Sequence, residues 1–114
     1  MSQPESDESL LKRASDGDRD AFAVLVERHQ ARVRLWIAQL VSDREDAYDL
    51  AQEVFLAVWQ AVPRFQPGQR FLPWMRAIAR HRLADPLRRR YRRQRREPQL
   101  LEEALVDLAC EDPS

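Results

Sequence analysis

Twelve arginines fall between positions 64 and 96, opposed there by Asp85 alone, so this stretch carries a net charge of +11. Among them lie Phe65, Phe71, Trp74 and Tyr91. Guanidinium groups displace counterions from phosphates, and flat aromatic rings stack on bases that have left a duplex. Arginine interleaved with aromatics is therefore the chemistry of single-stranded nucleic acid. An RNA-binding tail and a solvated arginine-rich helix carry the same composition, so composition alone favours sequence-specific binding only weakly.

The rest of the chain has the opposite sign. Positions 1–53 hold twelve acids against seven bases, and positions 97–114 hold six acids and no base. The formal net charge of zero hides this polarity. Such asymmetry implies one surface for a polyanion and a different surface for another partner. Asp46, Asp49, Glu53, Leu56 and Gln60 recur at helical spacing. Acids in the first turns complement a helix dipole, and a solvated acidic face is the plainer reading. An apolar Leu56 ringed by acids, with Trp59 near its edge, favours a docking surface.

Catalysis finds no such support. Two histidines, a single cysteine (Cys110) and no glycine-rich phosphate loop make no metal cluster, triad or nucleotide cradle. The chain is expected to be no enzyme and to need no cofactor or metal. Cys110 reads as an incidental thiol and His29 as a packed core histidine. The polar, acidic start is no signal peptide, and no apolar run is long enough to span a bilayer. No membrane insertion and a cytoplasmic location are expected.

The elements that must hold these residues read as helices throughout. Two glycines in 114 residues and no sustained alternation argue against strands. Asp7 or Ser9 is expected to cap a short first helix, which 15–18 (SDGD) ends. A second helix carries Phe22, Leu25, Val26, His29, Val33, Trp36, Ile37, Leu40 and Val41 on one stripe, with Trp36 expected in the core. A capping box at 42–45 (SDRE) opens the third helix, which Pro63 stops. Its inner stripe is Ala47, Leu50, Ala51, Val54, Phe55, Val58 and Val62. A cationic loop, Arg64-Phe65-Gln66-Pro67-Gly68-Gln69-Arg70, precedes a fourth helix from near Pro73.

In that fourth helix Phe71, Trp74, Met75, Ile78 and Ala79 face inward, while Arg76 and Arg80 point the other way. Trp74 and His81 lie along one flank. Pro86 should kink or end the helix near Asp85, and the arginines beyond it repel one another at i, i+4 spacing. The tail after Glu97 has one helical signature (Leu100, Leu101, Leu105, Leu108) but no visible partner, and reads as a linker or frayed helix. The fold class is all-α, a compact domain of about four helices. It comprises a flexible N-terminus at 1–6, the domain at 7–96, and an acidic linker at 97–114.

Residues 43–59 (DREDAYDLAQEVFLAVW) strongly resemble the polymerase-binding helix of sigma-70 family factors, especially the extracytoplasmic-function group. The likeness continues through Arg64-Phe65, Phe71, residues 73–85 (PWMRAIARHRLAD) and Arg88-Arg89. Gly17-Asp18, Ala21-Phe22 and Leu25 resemble the family's opening helix. The resemblance implies a helical region 2 domain that binds the clamp helices of the largest catalytic subunit of core RNA polymerase. It also implies capture of a flipped non-template base of the −10 promoter element, and an anti-sigma protein as inhibitor.

Carried over by position, Asp46, Asp49, Leu50, Gln52, Glu53 and Leu56 would contact polymerase. Arg64, Phe65, Gln66, Gln69, Arg70, Phe71 and Trp74 would form or flank the specificity loop. Arg76, Arg80, His81, Arg88 and Arg89 would face the promoter. The sequence departs from the pattern at His81, where many members have Asn, and at Pro86; both bear on base preference. The family's second helical domain, region 4, has no counterpart in these 114 residues, of which 97–114 resemble the interdomain linker; either they are the first domain of a longer protein or the natural protein is unusually short. Two other readings fit the residues: a sequence-nonspecific nucleic-acid-binding module, and an anti-sigma-like protein-interaction module that needs no arginines.

Overall fold

The computed structural model describes residues 4–110, with side chains through 108. Five α-helices and no strand occur among them: α1 (Asp7–Ser15), α2 (Arg19–Ala38), α3 (Arg44–Ala61), α4 (Phe71–Arg93) and α5 (Pro98–Cys110). A 3-10 turn, Val62–Arg64, follows α3. The all-α expectation holds, with one helix more than expected. Each helix packs on the next in the chain, and α1 also touches the start of α4. The Cys110 side chain lies outside the described residues.

Local chemistry explains where the helices begin. Ser6 caps α1, its hydroxyl accepting from the Ser9 N–H at 3.1 Å. Asp7 and Ser9, the expected caps, sit inside the helix. Ser6, Asp7 and Ser9 are all good caps, and the choice depends on what else each can reach. Asp7 reaches α2, where Arg28 donates to it at 3.1 Å and His29 Nε2 lies 3.0 Å away. His29 is buried, as its place on the apolar stripe implies.

Gly17 breaks the chain at φ +102°, a left-handed conformation that favours glycine. Asp18 then caps α2 through the Ala21 N–H at 3.1 Å. For α3 the cap is Asp43, not Ser42, and one carboxylate oxygen accepts from both the Glu45 and Asp46 N–H groups.

Two helices end elsewhere than their apolar periodicity suggests. α2 stops at Ala38, and Leu40 and Val41 are buried from the turn beyond it, both N–H groups donating to the Ile37 carbonyl. α4 begins at Phe71, whose N–H is capped from α1 by Glu8 Oε2 at 2.8 Å. It then continues through Pro86 to Arg93. An interior proline removes a helical hydrogen bond and costs roughly 3 kcal/mol against alanine. Burial of Leu83, Leu87 and Tyr91 opposes that cost, and the Tyr91 hydroxyl donates to the Leu40 carbonyl at 3.1 Å.

The partner for that burial is α5. Leu101, Leu105 and Leu108 are buried in the same core as Leu83 and Leu87, so the tail's leucine signature has a seat after all. Leu100, counted in that signature, is 60% exposed.

Candidate protein and nucleic-acid interfaces

The acidic side of α3 is solvent-facing. Asp49, Gln52, Glu53 and Leu56 are exposed, Leu56 at 47%. Leu50 is half-buried at the margin of this face. Leu56 borders an open apolar groove between α2 and α3, floored by Phe22, Val26, Phe55 and Trp59 and edged by Arg19 and Gln52. The Phe22 and Trp59 rings pack at 4.8 Å. The α2 wall of this groove was invisible in the sequence, because Phe22 and Val26 belong to a stripe that reads as core.

Two of the acids are already engaged. Arg90 of α4 donates to Asp46 at 2.5 Å and holds its carboxyl below the ordinary carboxylate range, first through that hydrogen bond and then through its charge. Arg82 forks onto Glu53, with Nε at 3.0 Å. These pairs, with Arg88 on Glu102, supply the countercharges that a run of arginines needs to be helical.

The cationic loop is turned outward. Arg64, Gln66, Pro67, Gly68, Gln69 and Arg70 are exposed. Gly68 takes φ +92° at the turn. Gln69 ties the loop to itself, its side-chain oxygen accepting from the Gln66 N–H at 2.9 Å while its own N–H donates to the Gln66 carbonyl. Phe65 is half-buried, edge-on to half-buried Trp74 at 5.0 Å. Phe71 is 1% exposed, packed between His29 and Trp74. It anchors the loop from inside and offers no face to a base.

On α4 the expected residues separate. Arg80 is half-buried, and His81 and Arg89 are exposed along a shallow cleft shared with Glu53, Arg82, Asp85 and Pro86. Arg76, expected to point outward, is 3% exposed, its guanidinium 5.0 Å from the centre of the Trp36 ring. Trp36, expected in the core, is correspondingly half-buried and serves as the platform. A guanidinium on an aromatic face can be buried where a lysine could not, which helical periodicity does not register. Arg88 is bound to Glu102, which raises the arginine's pKa and lowers that of the carboxyl.

Of the expected residues, His81 and Arg89 share the α4 cleft, Trp74 meets Phe65 at the edge of the loop, Arg80 lies towards Glu102 of α5, and Phe71 and Arg76 are inside. Among the described residues no group of His, Cys, Asp and Glu is placed to hold a metal ion. No described helix is long and apolar enough to cross a membrane.

Residues 25–96 match Sigma-70 region 2. The chain is 41% identical to the RNA polymerase sigma factor CarQ of Myxococcus xanthus over 78 residues, 68% of this chain and 45% of that protein. It is 34% identical to the sigma factor NccH of Alcaligenes xylosoxydans xylosoxydans over 85 residues, 75% of this chain and 46% of the relative. With the ECF RNA polymerase sigma-E factor of Escherichia coli K12 it shares 33% identity over 79 residues, 69% and 41% of the two chains. No solved structure matches it significantly. The chain belongs to the sigma-70 family, as a region 2 domain of the extracytoplasmic-function group. It spans about half the length of the curated relatives it matches.

Proposed function

We propose that this domain acts in transcription initiation by binding alone, joining core RNA polymerase to the melted −10 element of a promoter. The observation that carries the reading is that one small domain presents two faces of opposite character, which adjoin where Glu53 pairs with Arg82. The acidic side of α3, with exposed Leu56 beside an apolar groove, suits the basic, partly apolar surface of a polymerase coiled coil. Asp46, Asp49, Leu50, Gln52, Glu53 and Leu56 are the contacts, and Asp46 and Glu53 exchange their internal arginines for external ones.

The second surface receives the non-template strand. Arg64, Arg70, Arg80 and Arg89 neutralise phosphates, His81 and Trp74 flank the path, and the loop at Gln66 to Gln69 holds an extruded base. Unstacking a base costs a few kcal/mol, so a strand that is already single binds in preference to duplex. An anti-sigma protein would inhibit by covering either surface. The same arginines would serve a sequence-nonspecific binder.

The discriminating experiment is binding of the domain, with core polymerase present, to −10-like and scrambled single strands. Preference for the −10-like strand, and retention of the domain on core polymerase, are expected. Equal binding to both strands removes the promoter reading and leaves nonspecific binding.

A further inference from the structure

Residues 97–114 carry six acids and no base, and α5, which holds Glu102, Glu103 and Asp107, lies along the arginine-rich α4. Leu101, Leu105 and Leu108 seat it in the core. From the same helix Glu102 meets Arg88 fork to fork, Nε donating to one carboxylate oxygen at 2.9 Å and Nη2 to the other at 2.7 Å. Arg80 lies close enough to add its charge to that carboxylate. The neighbouring Glu103 is exposed and meets Gln99 within α5 at 3.5 Å.

A guanidinium fork fits carboxylate and phosphate with the same two-pronged geometry. Arg88 cannot present that fork to a phosphate while Glu102 occupies it. From the bidentate pair and the leucine seat we infer that α5 is a displaceable acidic strap, competing with nucleic-acid phosphate for Arg88. The joint that would let it move is short. Residues 94–97 link the helices, Arg95 stands at φ +54°, and the Arg96 N–H holds the turn through the Tyr91 carbonyl at 2.9 Å. Arg95 is the left-handed residue of a Schellman cap, its own N–H donating to the Arg92 carbonyl, and this cap is the joint about which α5 would swing from α4. The inference rests on α4 being the nucleic-acid face, and goes beyond it by making part of that face self-masked.

The test uses the full chain and a short thymidine homopolymer, which carries phosphates and no −10 sequence. Affinity is followed by fluorescence anisotropy between about 50 and 200 mM salt, with thermal melts confirming that each variant is folded. Glu102→Gln is expected to steepen the log–log salt slope by about 0.7, one added phosphate contact, and to tighten binding roughly five- to tenfold at the low-salt end. Glu103→Gln makes the same change in net charge without touching Arg88, and should keep the wild-type slope and affinity. Leu105→Ala loosens the apolar seat and should tighten binding in the same direction as Glu102→Gln. Equal gains from Glu102→Gln and Glu103→Gln would assign the effect to net charge and overturn the strap. So would a wild type that binds the strand indistinguishably from the Glu102→Gln protein. Failure of every form to bind at low salt would remove the nucleic-acid reading itself, and the strap with it.

Discussion

Arg76 and Leu56 are each the wrong polarity for their position, and both sites are explained by what a helix face meets. Leu56 is apolar and exposed, so its replacement costs little in folding and much in docking. Leu56→Arg and Asp49→Arg are expected to abolish retention on core polymerase while changing stability by no more than about ±0.5 kcal/mol. Retention of both variants would show that this face of α3 is not the contact. Arg76 is charged and buried against Trp36. Arg76→Ala should therefore destabilise the domain by about 1–3 kcal/mol, through a lost cation–π contact and lost packing, without selectively shrinking the salt slope of DNA binding. Arg80→Ala and Arg89→Ala should shrink the slope by about 0.7 each and leave the melt nearly unchanged. Phe55, buried under the groove, should cost about 3–5 kcal/mol when cut to alanine.

At the scale of elements, the loop and α4 make separate predictions. Replacing Gln66 to Gln69 with alanine and glycine should erase base preference and keep the salt slope, because the loop discriminates while the arginines attract. The Gln69 side chain also holds the Gln66 N–H, so Gln69→Ala alone should loosen the loop and give part of the effect. Pro86 lies inside a helix that its neighbours hold together. Pro86→Ala restores the missing helical N–H and is expected to raise stability by about 1–3 kcal/mol in a denaturant titration. A fall in stability would mean that α4 must bend there to seat α5.

For the whole molecule, carboxyls held by hydrogen bonds at the surface shape the acid response. Hydrogen bonds from Arg90, Arg88, Arg13 and Ser9 are the leading causes of the lowered pKa values of Asp46, Glu102, Asp18 and Glu5, respectively. A carboxyl held below its unfolded pKa contributes stability that is fully present above the unfolded value and lost as pH falls through the folded one. The melting temperature should thus be level from neutral pH down to about 5, then fall through and below the ordinary carboxylate range near pH 4. Asp46→Asn together with Glu102→Gln should flatten that acid limb. An unchanged limb would mean that these pairs are as well satisfied in the unfolded chain.

Helix content, the inner stripe of α3 and the outward loop were legible from local signals: spacing, turn residues and runs of like charge are properties of neighbouring positions. So was the opposite charge of α3 and α4, which follows from where the charges lie along the chain. Cap choice at Ser6 and Asp43 was not legible, because several adjacent residues are chemically able and only reach decides. The inward turn of Arg76, the continuation of α4 through Pro86 and the seat of α5 depend on partners far away in sequence. Glu8 caps the start of α4, Trp36 receives Arg76, Leu40 takes the Tyr91 hydroxyl, and Glu102 neutralises Arg88. Periodicity states which residues share a face. Whether a charge on that face is buried, free or masked is decided by the side chain that the tertiary fold sets opposite it.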